Sequence, residues 1–332
     1  MKGLLVSSTG TIGIANLPKP EINAYQALVR IEVCGICNST DTKLIDGTMY
    51  WGPPPPFVLG HESVGIVVET GSKVTKFQVG DRVTRPIYSD PRGEVSSANG
   101  GFAEYGVVTD ALAMAADGDS SMLTDYNAER QLVVPKGLDP IGAALAISLS
   151  EVASLIDDLP NLAGKTVLVA GTGIAGLAFA MWAKLAGAST IVLGRRQQRL
   201  EAASRIGADF TIDTTQPGWT GNVLAISGKA DGVLEASGAV ELAAKLPDLV
   251  KTGGFAIAYG VPPTGENYDP SAWQIAAVNE QRRFAWVADL LLRGWVHQSW
   301  FVTDEWPFEQ VVAAFDKVRH GDVLKGYVRI SG

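Results

Sequence analysis

Apolar and β-branched residues gather between glycines and prolines over residues 27–33 and again over 63–69, which predicts short strands of a β-rich domain with few helices. The stretch AMAADGDSSMLTDYNAERQ, residues 113–131, is rich in acidic and small residues and reads as a surface loop or an insertion. After VVPKGLDP the pattern changes. IGAALAISLSEVASLIDDL spaces its apolar residues as a helix does, and from 165 to about 286 strands alternate with helical segments. That alternation implies a doubly wound parallel sheet with helices on both faces. The last forty or so residues return to mixed strand and helix and are expected to rejoin the first domain. The expected division is 1–146, completed by 290–332, and 147–289. A chain of 332 residues is long enough for it, because single cores stop growing near ~250–300 residues.

Composition narrows the function classes. A net charge of −8 works against nucleic acid as a partner, since such binding draws its affinity from Lys and Arg on phosphates. No run of ~18 apolar residues occurs, so no membrane span is expected. The N-terminal MKGLLVSSTGTIGIANLPKP lacks a signal-peptide cleavage pattern, which predicts a cytoplasmic protein. Two cysteines cannot make a disulfide framework. Small neutral molecules fit this balance better than acidic polymers.

A nucleotide site is legible in KTVLVAGTGIAGLAFAMWAKLAGASTIVLGRRQQRL. A strand over 166–170 leads into the loop Gly171, Thr172, Gly173, Ile174, Ala175 and Gly176, then a helix, then a second strand over 189–193. In this context a G-x-G-x-x-G is specific. Gly171 allows the tight turn, Gly173 lets backbone approach a pyrophosphate, and Gly176 lets helix pack close on strand. Where NAD-binding versions place an acidic residue at the end of the second strand, this chain has Gly194, then Arg195 and Arg196. A carboxylate repels a 2′-phosphate, whereas guanidinium groups grip one, so NADP(H) is the expected cofactor. Arg199 is expected one turn along the helix, facing outward.

Both cysteines lie in RIEVCGICNSTDTKLIDG, and Cys34 and Cys37 stand three apart. About two dozen residues on, VLGHESVGIVVETG supplies His61 and Glu62. One thiolate, one imidazole and one carboxylate are the ligand types of a catalytic zinc that keeps an open position.

CGIC followed by TDTKLIDG, GHE with a glycine-rich tail, VGDRV, the nucleotide segment and GKADGVLEASG together resemble the zinc-dependent medium-chain alcohol and polyol dehydrogenases, in family order over nearly the whole chain. The resemblance implies a GroES-like catalytic domain, a Rossmann cofactor domain, and zinc and nicotinamide in a cleft between them. It makes Cys37 the ligand and Cys34 a buried small neighbour, and adds Ser237 and Gly260 to the cofactor residues. It implies a homodimer or homotetramer, with GGFAIAYGVPP as an edge strand covered by its symmetry mate. It places Tyr50, Trp51 and Tyr88 where relatives line the substrate pocket.

Three departures follow. CNSTD has one residue more than the usual spacing, so Ser39 and Thr40 compete for the proton-relay hydroxyl; reading back from Gly47 favours Thr40 and Asp41. PIYSDPRGEVSSANGGFAEY has no cysteine, so one catalytic zinc and no structural zinc is expected. The usual acidic or thiolate residue after AAL is Ile147, while Glu151 lies four residues on, the same helical face one turn away. Glu151 is either a ligand, direct or through water, or a surface charge.

The expected function is a zinc-dependent hydride transfer between NADP(H) and a secondary alcohol or its ketone, a polyol or cyclitol included. The alternatives are a zinc-free NADPH-dependent quinone or enone reductase and a non-catalytic NADPH-binding protein of the crystallin type.

Overall fold

The protein is described by a computed structural model over residues 1–259 and 269–331. The chain divides into two compact units, residues 1–147 with 284–332, and residues 148–283.

The first unit is built on the long strand Gln26–Gly35, which pairs antiparallel with Glu62–Thr70, with Tyr105–Thr109 and with Gly326–Arg329 near the C-terminus. Ala27, Val29, Val67, Val83 and Val108 close around Phe77 as a dry core on one face. Alternation along the strands selects that face, because successive side chains point to opposite sides of a sheet. A second sheet joins Ile12–Asn16, Lys2–Val6, Phe57–Val58 and Ser96–Ser97. Tyr88 belongs to the core of this sheet, packed with Leu17, Val58 and Ala103, so it is no exposed pocket wall; burial pushes its hydroxyl up to about 12.

The segment read as a loop or insertion carries the end of a short helix, Ala111–Ala116, capped by the Asp110 carboxylate accepting from the Ala113 N–H, and a single 3-10 turn, Ala128–Arg130. The cysteine-free stretch after Pro86 is gathered by Asp90, whose carboxylate accepts the N–H groups of Arg92, Glu94 and Val95.

Among the described residues of the second unit, six parallel strands lie in the order Phe210–Asp213, Ser189–Gly194, Thr166–Ala170, Ala230–Glu235, Val250–Ala258, Gln274–Ile275. This is the doubly wound dinucleotide-fold order, with the first strand in the middle of the sheet. The central strands are buried on both sides, which is why they read as near-continuous runs of Val, Leu and Ile. The GGFAIAYGVPP expectation needs correction. Residues 253–258 lie in a strand one place in from the edge, because Gln274–Ile275 pairs with Ile257 and Ala258. Gly260 and the rest of that segment lie outside the described residues. Among the described residues no helix is long and apolar enough to cross a membrane.

Candidate active site

Strand register assembles the first half of the site. Gly35 sits opposite Glu62 on one side and Tyr327 on the other, so a single row across three strands brings 62 and 327 together. The chain leaves the strand end at Gly35, passes Cys37, and turns into the short helix Thr40–Ile45. Asp41 fixes that turn. It is fully buried, its Oδ2 accepts the Cys37 N–H at 2.9 Å, and its Oδ1 lies 3.3 Å from Nδ1 of His61.

Cys37, His61 and Glu62 present ligand atoms that all lie within 4.8 Å of one another. His61 Nε2 is 3.9 Å from Glu62 Oε1. With Asp41 engaging Nδ1, Nε2 is the nitrogen offered to an ion, an arrangement in which a carboxylate orients a metal-ligating imidazole. Burial works to lower the His61 pKa, but Asp41 and Cys37 outweigh it and hold it well above the ordinary value. A soft thiolate, an imidazole and a carboxylate oxygen form a donor set that suits zinc. Cys34 lies outside the set. It is fully buried, and burial pushes its thiol pKa well up. A Cβ at Gly60 would come within 2.9 Å of its sulfur, and the thiol donates to the Gly35 carbonyl at 3.7 Å, so the slot holds a small side chain turned away from the metal set.

Of the competing hydroxyls, Ser39 is exposed and Thr40 is half-buried at the first turn of the helix. Tyr50 is 87% exposed and Trp51 44%, so neither is packed into the core. Glu151 belongs to the second unit, where its Oε2 accepts a 3.0 Å hydrogen bond from the Tyr259 hydroxyl. The Tyr259 ring stands edge-on to the buried Phe179, which fixes the hydroxyl. Ile147 is buried apolar core.

The nucleotide loop has the geometry its glycines demand. Gly171 takes φ +113°, and a Cβ there would meet the backbone of Ala236 at 2.9 Å. A Cβ at Gly176 would lie 2.0 Å from the Gly171 carbonyl oxygen, while one at Gly173 would meet open space. Thr172, Ile174 and Ala175 are half-buried along the same turn. The open side is therefore at Gly173, which opens the helix Ile174–Leu185 with its unpaired N–H groups. Gly194 is buried, and its missing Cβ leaves room for Thr172 and Leu200. Arg195 and Arg196 are exposed beyond it.

Arg199 does not face outward as expected. It is half-buried, and its Nη1 donates to the Thr172 carbonyl at 3.4 Å. Burial, with the nearby charge of Arg196, lowers its pKa. Three positions after Arg196 on a helix is one turn, and here that turn faces the glycine loop. Ser237 is exposed on a turn held by Glu235, a residue the sequence pattern did not single out. The buried Glu235 Oε1 accepts the N–H groups of Ser237 and Gly238, and burial raises its pKa.

Two family descriptions match the chain, the alcohol dehydrogenase GroES-like domain over residues 23–117 and the zinc-binding dehydrogenase over 175–283. A sorbitol dehydrogenase of Halalkalibacterium halodurans is 28% identical, with 98% of each chain covered. A D-arabitol-phosphate dehydrogenase of Enterococcus avium is 29% identical over 98% of this chain and 96% of its own. Among solved structures, a protein from Sinorhizobium meliloti 1021 described as a zinc-binding dehydrogenase bound to NADP superposes with a TM-score of 0.80 at 26% identity, over 99% of this chain and 98% of that one.

Proposed function

The chain belongs to the zinc-dependent medium-chain dehydrogenase/reductase superfamily, and from that premise we propose that it is an NADP(H)-dependent zinc oxidoreductase acting on a neutral secondary alcohol or its ketone, of the polyol or cyclitol kind. The observation that carries the proposal is the convergence of Cys37, His61 and Glu62 in one metal-capable group. The relative named sorbitol dehydrogenase supports a neutral polyol, whereas the one named D-arabitol-phosphate dehydrogenase supports the polyol skeleton alone, since its named substrate carries a charged phosphate.

When bound, zinc supplies a Lewis acid for the substrate oxygen, and NADP(H) supplies or accepts the hydride. Cys37, His61 and Glu62 hold the metal, and Asp41 keeps the His61 ring turned so that Nε2 is free. Thr40, better sheltered than Ser39, carries the hydroxyl proton toward solvent. Gly171, Thr172, Gly173, Ile174, Ala175 and Gly176 cradle the pyrophosphate, Gly194 to Arg196 receive the ribose 2′-phosphate, and the Glu235-held turn at Ser237 borders the cofactor.

Elemental analysis of the purified chain should give one zinc per chain, and NADPH should be oxidised with neutral ketones supplied as probes. A metal-free chain that reduces enones or quinones at full rate would favour the zinc-free alternative and end this reading.

We further infer that Glu151 contributes to metal retention or turnover. Glu151→Gln should lower zinc affinity or kcat about 10–100-fold, the scale for carboxylates that support a metal set. Wild-type values for both would leave Glu151 as a partner of Tyr259 with no part in the metal site.

A further inference from the structure

Lys325 is 3% exposed, and no feature of its surrounding sequence marks it as functional. Its ammonium group pairs with Glu62 Oε2 and donates to the Ile36 carbonyl at 3.1 Å. The other oxygen of the same carboxylate, Oε1, is the one turned toward His61. One carboxylate thus has one face on a buried cation and one face on the metal set.

The surroundings are shaped for the pair. A Cβ at Gly35 would lie 2.5 Å from Glu62 Oε2 and 2.8 Å from the Tyr327 ring, so this position in mid-sheet is free of any side chain where the two charges meet. The Tyr327 ring, 5.7 Å from the ammonium, covers the pair from the next strand. A buried ion pair in such a place is poor value as a stabilising device, since its desolvation offsets most of the attraction. Its position suggests another use.

We propose that Lys325 is a positioning residue for the metal site: it holds Oε2 of Glu62 so that Oε1 alone is offered to the ion, and it offsets one of the two anionic ligands. Glu62 would then hold the metal through Oε1 alone, leaving room beside it for substrate. This inference rests on the zinc reading above.

The test uses the full-length chain stripped of metal and titrated with zinc ion against a chelator of known affinity. In Lys325→Met the freed carboxylate turns both oxygens to the metal and the site gains a negative charge. Zinc is expected to bind about tenfold tighter than in wild type, while kcat falls about tenfold or more because the open position closes. Opposite movement of metal affinity and turnover is the signature; a merely structural lysine would lower both. Lys325→Arg, which keeps the charge, should restore affinity toward wild type.

Zinc binding by Lys325→Met equal to or weaker than wild type would overturn the proposal while leaving the zinc reading intact. Failure of wild type itself to bind zinc would overturn both. If Lys325→Met folds only with zinc present, the metal is compensating the stranded carboxylate, as expected. Should Lys325→Met not fold even with zinc, Lys325→Gln carries the same titration with the same two outcomes, and failure of both to fold with zinc present refutes the proposal.

Discussion

Cys37→Ser will leave a folded chain that binds nicotinamide cofactor normally, retains no zinc and turns over no substrate. A serine hydroxyl stays protonated near neutral pH and supplies no anion, whereas the thiolate is the soft donor that the set depends on. The substitution should be silent for the fold. Cys37 is half-buried, and the Asp41 carboxylate grips its backbone N–H rather than its side chain. The glycine loop belongs to the other unit, so NADPH affinity should be untouched. Cys34→Ser provides the contrast. It replaces the sulfur by a hydroxyl in a fully buried slot, where Sγ donates to the Gly35 carbonyl, at a cost of about 1–3 kcal/mol in stability, with zinc content unchanged. Metal analysis, thermal unfolding and a cofactor titration on the two variants settle the matter. Equal loss of zinc from both would show that the cysteines act as a pair.

NADPH is expected to bind roughly 100-fold tighter than NADH or better, because two charge-assisted contacts to a 2′-phosphate are each worth about 1.5–3 kcal/mol and ~1.4 kcal/mol is tenfold. Arg195 and Arg196 stand exposed at the strand end where an acidic residue would select NAD. The structure adds Arg199, folded over the loop onto the Thr172 carbonyl and close enough to Arg196 for their charges to repel. Cations crowded in this way gain from an anion placed among them. Arg196→Ala should therefore weaken NADPH about tenfold or more and leave NADH nearly unchanged. Arg199→Ala should do the same if its guanidinium faces the phosphate, and should weaken both cofactors alike if it only braces the loop. Fluorescence titrations with both reduced cofactors read these ratios, and parity between NADPH and NADH in wild type would remove the case for NADP.

The elements that the sequence determined are those whose physics is local. Gly171, Gly173 and Gly176 sit between an apolar strand and an apolar helix; the turn at Gly171 and the close packing at Gly176 tolerate no other residue, as φ +113° at the first and the 2.0 Å approach at the second show, while Gly173 keeps the side toward a ligand open. The parallel sheet was legible from alternating strand and helix patterns for the same reason, since each βα unit is encoded within a few dozen residues. The residue types for a metal were legible too, in the Cys37 segment and the GHE motif.

What the tertiary structure decided are contacts across long stretches of chain. Lys325 bonds Ile36 from 289 positions away, and only the register Tyr327, Gly35, Glu62 across three strands puts it there. Asp41 was named by spacing, but its grip on Nδ1 of His61 depends on the turn after Gly35. The resemblance puts Tyr88 in a pocket wall and helix spacing turns Arg199 outward, and neither says which face of an element meets a neighbour. Packing placed the first in a core and the second over the nucleotide loop. Local propensity is written residue by residue along the chain, whereas the partner of a buried charge is fixed only once separate strands have paired.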